Sequence, residues 1–260
     1  MLSAYALRGL KAGVVAGLAF GLFVVLVASP LVAVAEERAG HHAEGGEHGS
    51  EHAAHEAANG HVAVGPLAVP TTVLGTLTDL LGGVGWGALL GVGFGVVYYL
   101  LEPAIPGAGD VPVFLLGAAG LVTISGAPWL AVPPQPPGVE GASLDVRGLW
   151  YGGALLAGAV ACLASGACYR RLTASGRDSR LSALVAALPL AALLGLAVVS
   201  PVATGSGPSG PFAAAYRGVV LAGQVGLWLV LTTTFARLHR RGLDRESTWS
   251  AESPPVATGD

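Results

Sequence analysis

Six of the chain's seven histidines fall between residues 41 and 61. The stretch HHAEGGEHGSEHAAHE starts at His41 and sets His41, His42, His48, His52 and His55 among Glu44, Glu47, Glu51 and Glu56, with His61 shortly after. Imidazole nitrogens and carboxylate oxygens are ligands for divalent first-row metals. EHAAHEAA is alanine-rich and suits a short helix. There His48 and His52, Glu51 and His55, and His52 and Glu56 become i, i+4 neighbours, while His52 and His55 stand i, i+3. Such pairs share a helix face and converge on one ion. The expected metal-ligating set is therefore His41, His42, His48, Glu51, His52, His55, Glu56 and His61. Gly45, Gly46 and Gly49 leave the rest of the tract flexible. That predicts transient capture of a divalent metal, with no tightly bound cofactor. The plainer alternative is a solvated polar spacer. Ligand type does not select the metal, since nickel, copper and zinc all compete well for such sites.

Enzymatic readings of the same residues are weak. HGSEH (His48 to His52) has the form H-x-x-E-H of a zinc protease motif. It lies in a glycine-rich tract with no scaffold helix around it, so we expect no enzyme. Lys11 is the only lysine and no G-x-x-x-x-G-K-[ST] surrounds it, which excludes a Walker-type nucleotide site. The net charge of −3 gives no nucleic-acid footprint.

The elements that must position this tract are membrane spans. Apolar residues make up 53% of the chain and charged ones 11%, with a mean hydropathy of +0.65, values of a protein whose solvent is a lipid bilayer. Apolar runs of spanning length cover roughly Ala12–Ala35, Leu80–Leu101, Pro112–Val132, Gly148–Cys168, Leu181–Val202 and Gly218–Ala236. Lipid offers backbone groups no water, so these runs must be helices. The expected fold is all-α, a polytopic membrane bundle of six transmembrane helices. It becomes five if the first is a cleaved signal ending near the Ala33–Ala35 AVA. The chain then divides into an N-terminal helix (1–36), a His/Glu-rich loop (37–79), a five-helix bundle (80–236) and a tail (237–260).

Basic residues orient it. With the N-terminus in the cytoplasm, the inner segments hold Arg8, Lys11, Arg170, Arg171, Arg177, Arg180, Arg237, Arg240, Arg241 and Arg245, ten of the thirteen. Only Arg38, Arg147 and Arg217 lie outside. This topology puts a multi-pass protein in the plasma membrane with both termini cytoplasmic and the histidine loop outside.

Small residues mark the packing. Gly83, Gly87, Gly91 and Gly95 form an unbroken i+4 row in the second run, and Gly13, Gly17 and Gly21 one in the first. Gly153, Ala157, Ala161 and Ser165 do the same in the fourth. Such rows let helix backbones approach closely in lipid. The spans carry few polar groups. Asp79 and Arg217 are level at the outer edge and suggest a pair, while Thr123, Ser125 and Gln224 suggest helix-to-helix hydrogen bonds or a path. Cys162 and Cys168 point about 120° apart on one helix and are read as packing residues. Trp129 stands where an interfacial aromatic belongs.

Four stretches together carry a family resemblance: AGLAFGLFVVLVASPLVAVAEE (Ala16 to Glu37), the His/Glu-rich loop after it, LEPAIPG (Leu101 to Gly107) and APWLAVPPQPPGVEGASLDVR (Ala127 to Arg147). The chain resembles the CbtA family of probable cobalt transporter subunits from about Leu7 to Ala236, the proline-rich segment being the most specific of the four. The resemblance implies five or six membrane helices, cobalt as the metal, a small one-helix, histidine-bearing CbtB-type partner and a link to cobalamin supply. It carries over no ligand residue. The expected function is a membrane subunit of a cobalt uptake system with an external capture loop. The alternative is a non-transporting metal-binding sensor or delivery module.

Overall fold

The computed structural model describes residues 1–32, 61–64, 67–135, 142–204 and 210–252. Six of its helices are long and apolar enough to span a membrane. They are α1 (Leu2–Val32), α2 (Val73–Ala104), α3 (Val111–Ala131), α4 (Leu144–Ala174), α5 (Ser179–Val199) and α6 (Pro211–Leu243). All six expected spans are present, and the fold is a polytopic helical bundle. The helix of α2 begins at Thr71, ahead of the apolar run, and that of α6 continues to Glu252. A feature that the sequence reading lacks is a short antiparallel pair, β1 (His61–Val64) with β2 (Leu67–Pro70), in the register His61 opposite Pro70.

Glycine decides how α1 and α2 meet. The row Gly9, Gly13, Gly17 and Gly21 of α1 lies against Gly83, Gly87, Gly91 and Gly95 of α2. A Cβ built on Gly13 would stand 2.1 Å from the Gly87 carbonyl oxygen, and one on Gly91 2.2 Å from that of Gly9. Any side chain here would enter the opposite backbone. The interface foreseen for the α2 row is thus within this chain. Gly82, Gly85 and Gly93, on other faces of α2, have nothing within 4 Å of their Cβ positions.

The other face of α1 supplies Ala12 and Ala16 to a core with Leu90, Phe94 and Tyr98 of α2, Val113 of α3, and Leu227, Trp228, Leu231 and Phe235 of α6. Phe94 and Tyr98 both meet the Phe235 ring edge-on, at 5.0 and 5.3 Å between centroids. A second, smaller core joins Ala127 of α3, Ala161 of α4 and Leu193 of α5. The helix α3 links the two. On α4 the close approach keeps Ala161 of the small-residue row of the sequence but otherwise uses the positions next to it. Ala154, Gly158 and Ala161 are buried, and a Cβ on Gly158 would stand 2.9 Å from Thr123 Cα. Gly153 faces open space. Ala157 of that row is partly buried against the second core, so the packed face overlaps the row and is turned from it by part of the roughly 100° between successive residues.

Prolines shape the ends. The π turns Val24–Ala28 and Leu121–Gly126 each close two residues before a proline, Pro30 and Pro128. Proline has no N–H and crowds the carbonyl a turn earlier, and a widened turn absorbs that interruption. Ser29 N–H accordingly reaches back to Val24 O, and Ala127 N–H to Val122 O. The helix α3 stops at Ala131, ahead of Pro133 and Pro134. The orphaned Ala131 carbonyl accepts from the fully buried Ser200 hydroxyl at 2.6 Å. That hydroxyl also accepts from Val202 and Ala203 N–H at 3.2 and 3.3 Å, capping the short helix Pro201–Thr204.

Candidate polar path along the sixth helix

One face of α6 carries two of the four buried polar residues among those described, Thr232 and His239, in line with the partly buried Arg217 and Gln224. Arg217, Gln224, Trp228, Thr232, Phe235 and His239 follow at spacings of three, four or seven, the repeat of a single helix stripe. At the N-terminal end of the stripe Arg217 Nε donates to Pro134 O at 3.4 Å. Asp79 instead accepts from Ser29 Oγ at 3.1 Å. The Asp79–Arg217 pair is therefore not formed. Each group answers a nearer partner, the aspartate one on α1 and the arginine the proline-rich end of α3.

Midway, Ser125 Oγ in the π turn of α3 donates to Gln224 Oε1 at 2.9 Å, and Trp228 Nε1 donates to Ser125 Oγ at 3.2 Å. The suspected helix-to-helix bonds of Ser125 and Gln224 are thus present. Glycine makes room again: Cβ atoms on Gly117 and Gly120 would stand 2.5 Å from Thr232 Cγ2 and 2.4 Å from the Trp228 ring. The Thr232 hydroxyl is turned back to the Trp228 carbonyl. On the far side of α3, Thr123 Oγ1 lies 3.7 Å from Cys162 Sγ, whose thiol points to Ala119 O at 3.8 Å. Trp129 keeps its indole nitrogen buried, with no hydrogen-bond partner among the described residues. That differs from a belt tryptophan, which presents its N–H to headgroups.

The C-terminal end of the stripe holds a cluster that the sequence alone did not single out. His239, the seventh histidine, is 6% exposed. Its Nε2 stands 3.6 Å from Glu102 Oε1, and Tyr5 Oη donates to Glu102 Oε2 at 2.9 Å. Arg8 Nη1 lies 3.3 Å from His239 Nδ1. A guanidinium can only donate, so this contact makes Nδ1 an acceptor and places the ring proton on Nε2, toward Glu102. The rings of Tyr5, Tyr98 and Phe235 enclose the imidazole at 5.4, 5.4 and 6.1 Å between centroids. Beside this cluster, Arg240 pairs with Asp110. The cluster ties α1, α2 and α6 together at one end. The signal for it was present as helical spacing, since His239 lies on the stripe of Gln224, Trp228 and Thr232.

His239 and Glu102 are metal-ligand types, yet the Arg8 cation beside the imidazole opposes a second cation there. Among the described residues no three His, Cys, Asp or Glu side chains gather as a metal site. Of the expected ligands, His41, His42, His48, Glu51, His52, His55 and Glu56 lie outside the described residues, and His61 begins β1. With seven of the eight outside the described residues, the set stands as an expectation from the sequence. In comparisons with known proteins, no curated protein and no solved structure matches the chain. A family model does match, over residues 2–240, and its description reads "Probable cobalt transporter subunit (CbtA)".

Proposed function

Because the chain belongs to the CbtA family of probable cobalt transporter subunits, we propose that it is the membrane subunit of a cobalt or related divalent-metal uptake system whose His/Glu-rich tract captures the ion outside the cell. The observation that carries this reading beyond the family is the tract itself, six of seven histidines within residues 41–61 between the first two spans. In this reading His41, His42, His48, Glu51, His52, His55, Glu56 and His61 supply the ligands. Both termini are cytoplasmic, as the basic residues favour. A small one-helix, histidine-bearing CbtB-type subunit completes the system, which supplies metal for cobalamin.

Uptake of radiolabelled cobalt by cells with and without the chain and its partner tests this. Replacing His48, His52 and His55 by Ala is expected to raise the metal concentration for half-maximal uptake more than it lowers the maximum rate. Unaltered uptake at limiting metal would reduce the tract to a spacer. The second reading, a non-transporting sensor or delivery module, is favoured by the absence of a three-ligand group within the described bundle. It predicts metal binding without accumulation.

A further inference from the structure

A cavity of about 640 Å³ lies among α3, α4, α5 and the connector between α2 and α3, away from the polar stripe of α6. It runs along α4 from Cys162 to Arg170, eight residues or about 12 Å of helix rise. One leaflet of a bilayer's hydrocarbon core is about 15 Å deep. The lining is apolar or small apart from Cys162, Ser165, Tyr169 and Arg170. Leu115 and Leu163 of the lining are 45% and 65% exposed, so the cavity communicates with the bundle's outer surface, which in a spanning bundle is lipid. At its end the exposed Arg170 makes one polar contact, Nη1 to the Ala104 carbonyl at 3.4 Å. A carbonyl leaves a guanidinium's charge uncompensated, and no carboxylate pairs with it among the described residues.

We propose that this cavity is a binding site for an anionic phospholipid, with an acyl chain lying between α3 and α4 and the headgroup phosphate on Arg170. Length, apolar walls and a free cation at the membrane-edge end together fit that ligand. A peptide segment would leave its backbone groups unsatisfied in such walls. The site is independent of the proposed metal uptake.

Gly166 provides the test. It lines the cavity, and a Cβ there meets nothing within 4 Å, so the backbone tolerates a side chain that takes up cavity space. Gly152, on the same helix outside the cavity, is equally open and serves as control. The full chain, purified in detergent, is titrated with phosphatidylglycerol or phosphatidylcholine and read by native mass spectrometry. Wild type and Gly152→Leu are expected to retain phosphatidylglycerol preferentially. Arg170→Gln is expected to lose about fivefold of that retention, the worth of one basic side chain at an anionic surface. Gly166→Leu is expected to lose retention of both lipids. In a Cys168→Ala chain, phosphatidylglycerol is also expected to slow alkylation of Cys162, a readout that needs no cavity mutant. Equal retention by wild type and Gly166→Leu, alkylation of Cys162 unaffected by lipid, or a second copy of the chain bound in place of lipid would each overturn the proposal.

Discussion

Replacing Gly87 by alanine adds one methyl group where two helix backbones already touch. The new Cβ would stand 2.4 Å from Gly13 O and 2.5 Å from Gly17 Cα, whereas ordinary contact starts at 3.4 Å. The shortfall is about 1 Å, and both obstacles are backbone, so no rotamer change relieves it. The helices α1 and α2 must part by about that distance. A gap of 0.5–1 Å forfeits roughly a quarter to a half of each dispersion contact across the seam. In lipid those contacts are the main attraction between helices. With the overpacking term, the expected cost is about 1–3 kcal/mol. Gly85→Ala is the matched control. It lies on the same helix, its Cβ meets nothing within 4 Å, and alanine's helix propensity makes the change neutral or stabilising by up to about 1 kcal/mol. The assay is the fraction of monodisperse protein left after heating in detergent, read by size exclusion. Gly87→Ala should melt well below wild type and Gly85→Ala at or above it. Coincident melting curves for the two variants would refute the seam. The double variant Gly87→Leu, Gly91→Leu is expected to fail in assembly altogether, and its normal yield would refute it equally.

Other outcomes follow from the same geometry. Ser200→Ala strips a partner from Ala131 O and from two N–H groups, so we expect about 1–3 kcal/mol of destabilisation in detergent melts. Ser175→Ala, whose hydroxyl meets only Leu172 O on an exposed turn, should change little by comparison. His239→Ala should cost about 2–5 kcal/mol, because a buried ring is lost from among Tyr5, Tyr98 and Phe235, while His239→Phe should keep most of that packing. Equal melting of the two would show that the ring contacts contribute nothing. For topology, cysteines at Asn59 and Gly176 of a chain lacking its own two are probed with an impermeant thiol reagent on intact cells. Labelling is expected at Asn59 alone, and labelling at Gly176 alone would invert the bundle. For the tract, calorimetry on a peptide covering Gly40 to His61 should show divalent metal binding at pH 7.5 that is much weaker at pH 5.5. Metal requires neutral imidazole, which free histidine loses below about pH 6.5, while glutamate stays ionised to about pH 4–5. Equal heats at both pH values would shift the ligand role to the carboxylates.

Sequence alone determined the six spans, since an apolar run of about 20 residues in lipid must satisfy its backbone internally and has no other way than a helix. It also determined that α2 carries a glycine stripe, because i+4 spacing places residues on one face whatever surrounds the helix. The chemistry of the histidine tract was legible from composition in the same sense, as ligand types without a geometry. Only the tertiary structure decided which stripe meets which. It set Gly83 to Gly95 against Gly9 to Gly21, turned the packed face of α4 from Gly153 toward Ala154 and Gly158 while keeping Ala161, and sent Asp79 and Arg217 to separate partners. It likewise gathered Tyr5, Arg8, Glu102 and His239 from three helices around one imidazole. Spacing along one helix fixes which residues share a face, but not how far that helix is rotated about its axis or which neighbour it meets. A one-residue error in that rotation is about 100°. The rotation is set by the fit of all six helices at once, through backbone contacts such as Gly13 on Gly87 that exist only after α1 and α2 have come together.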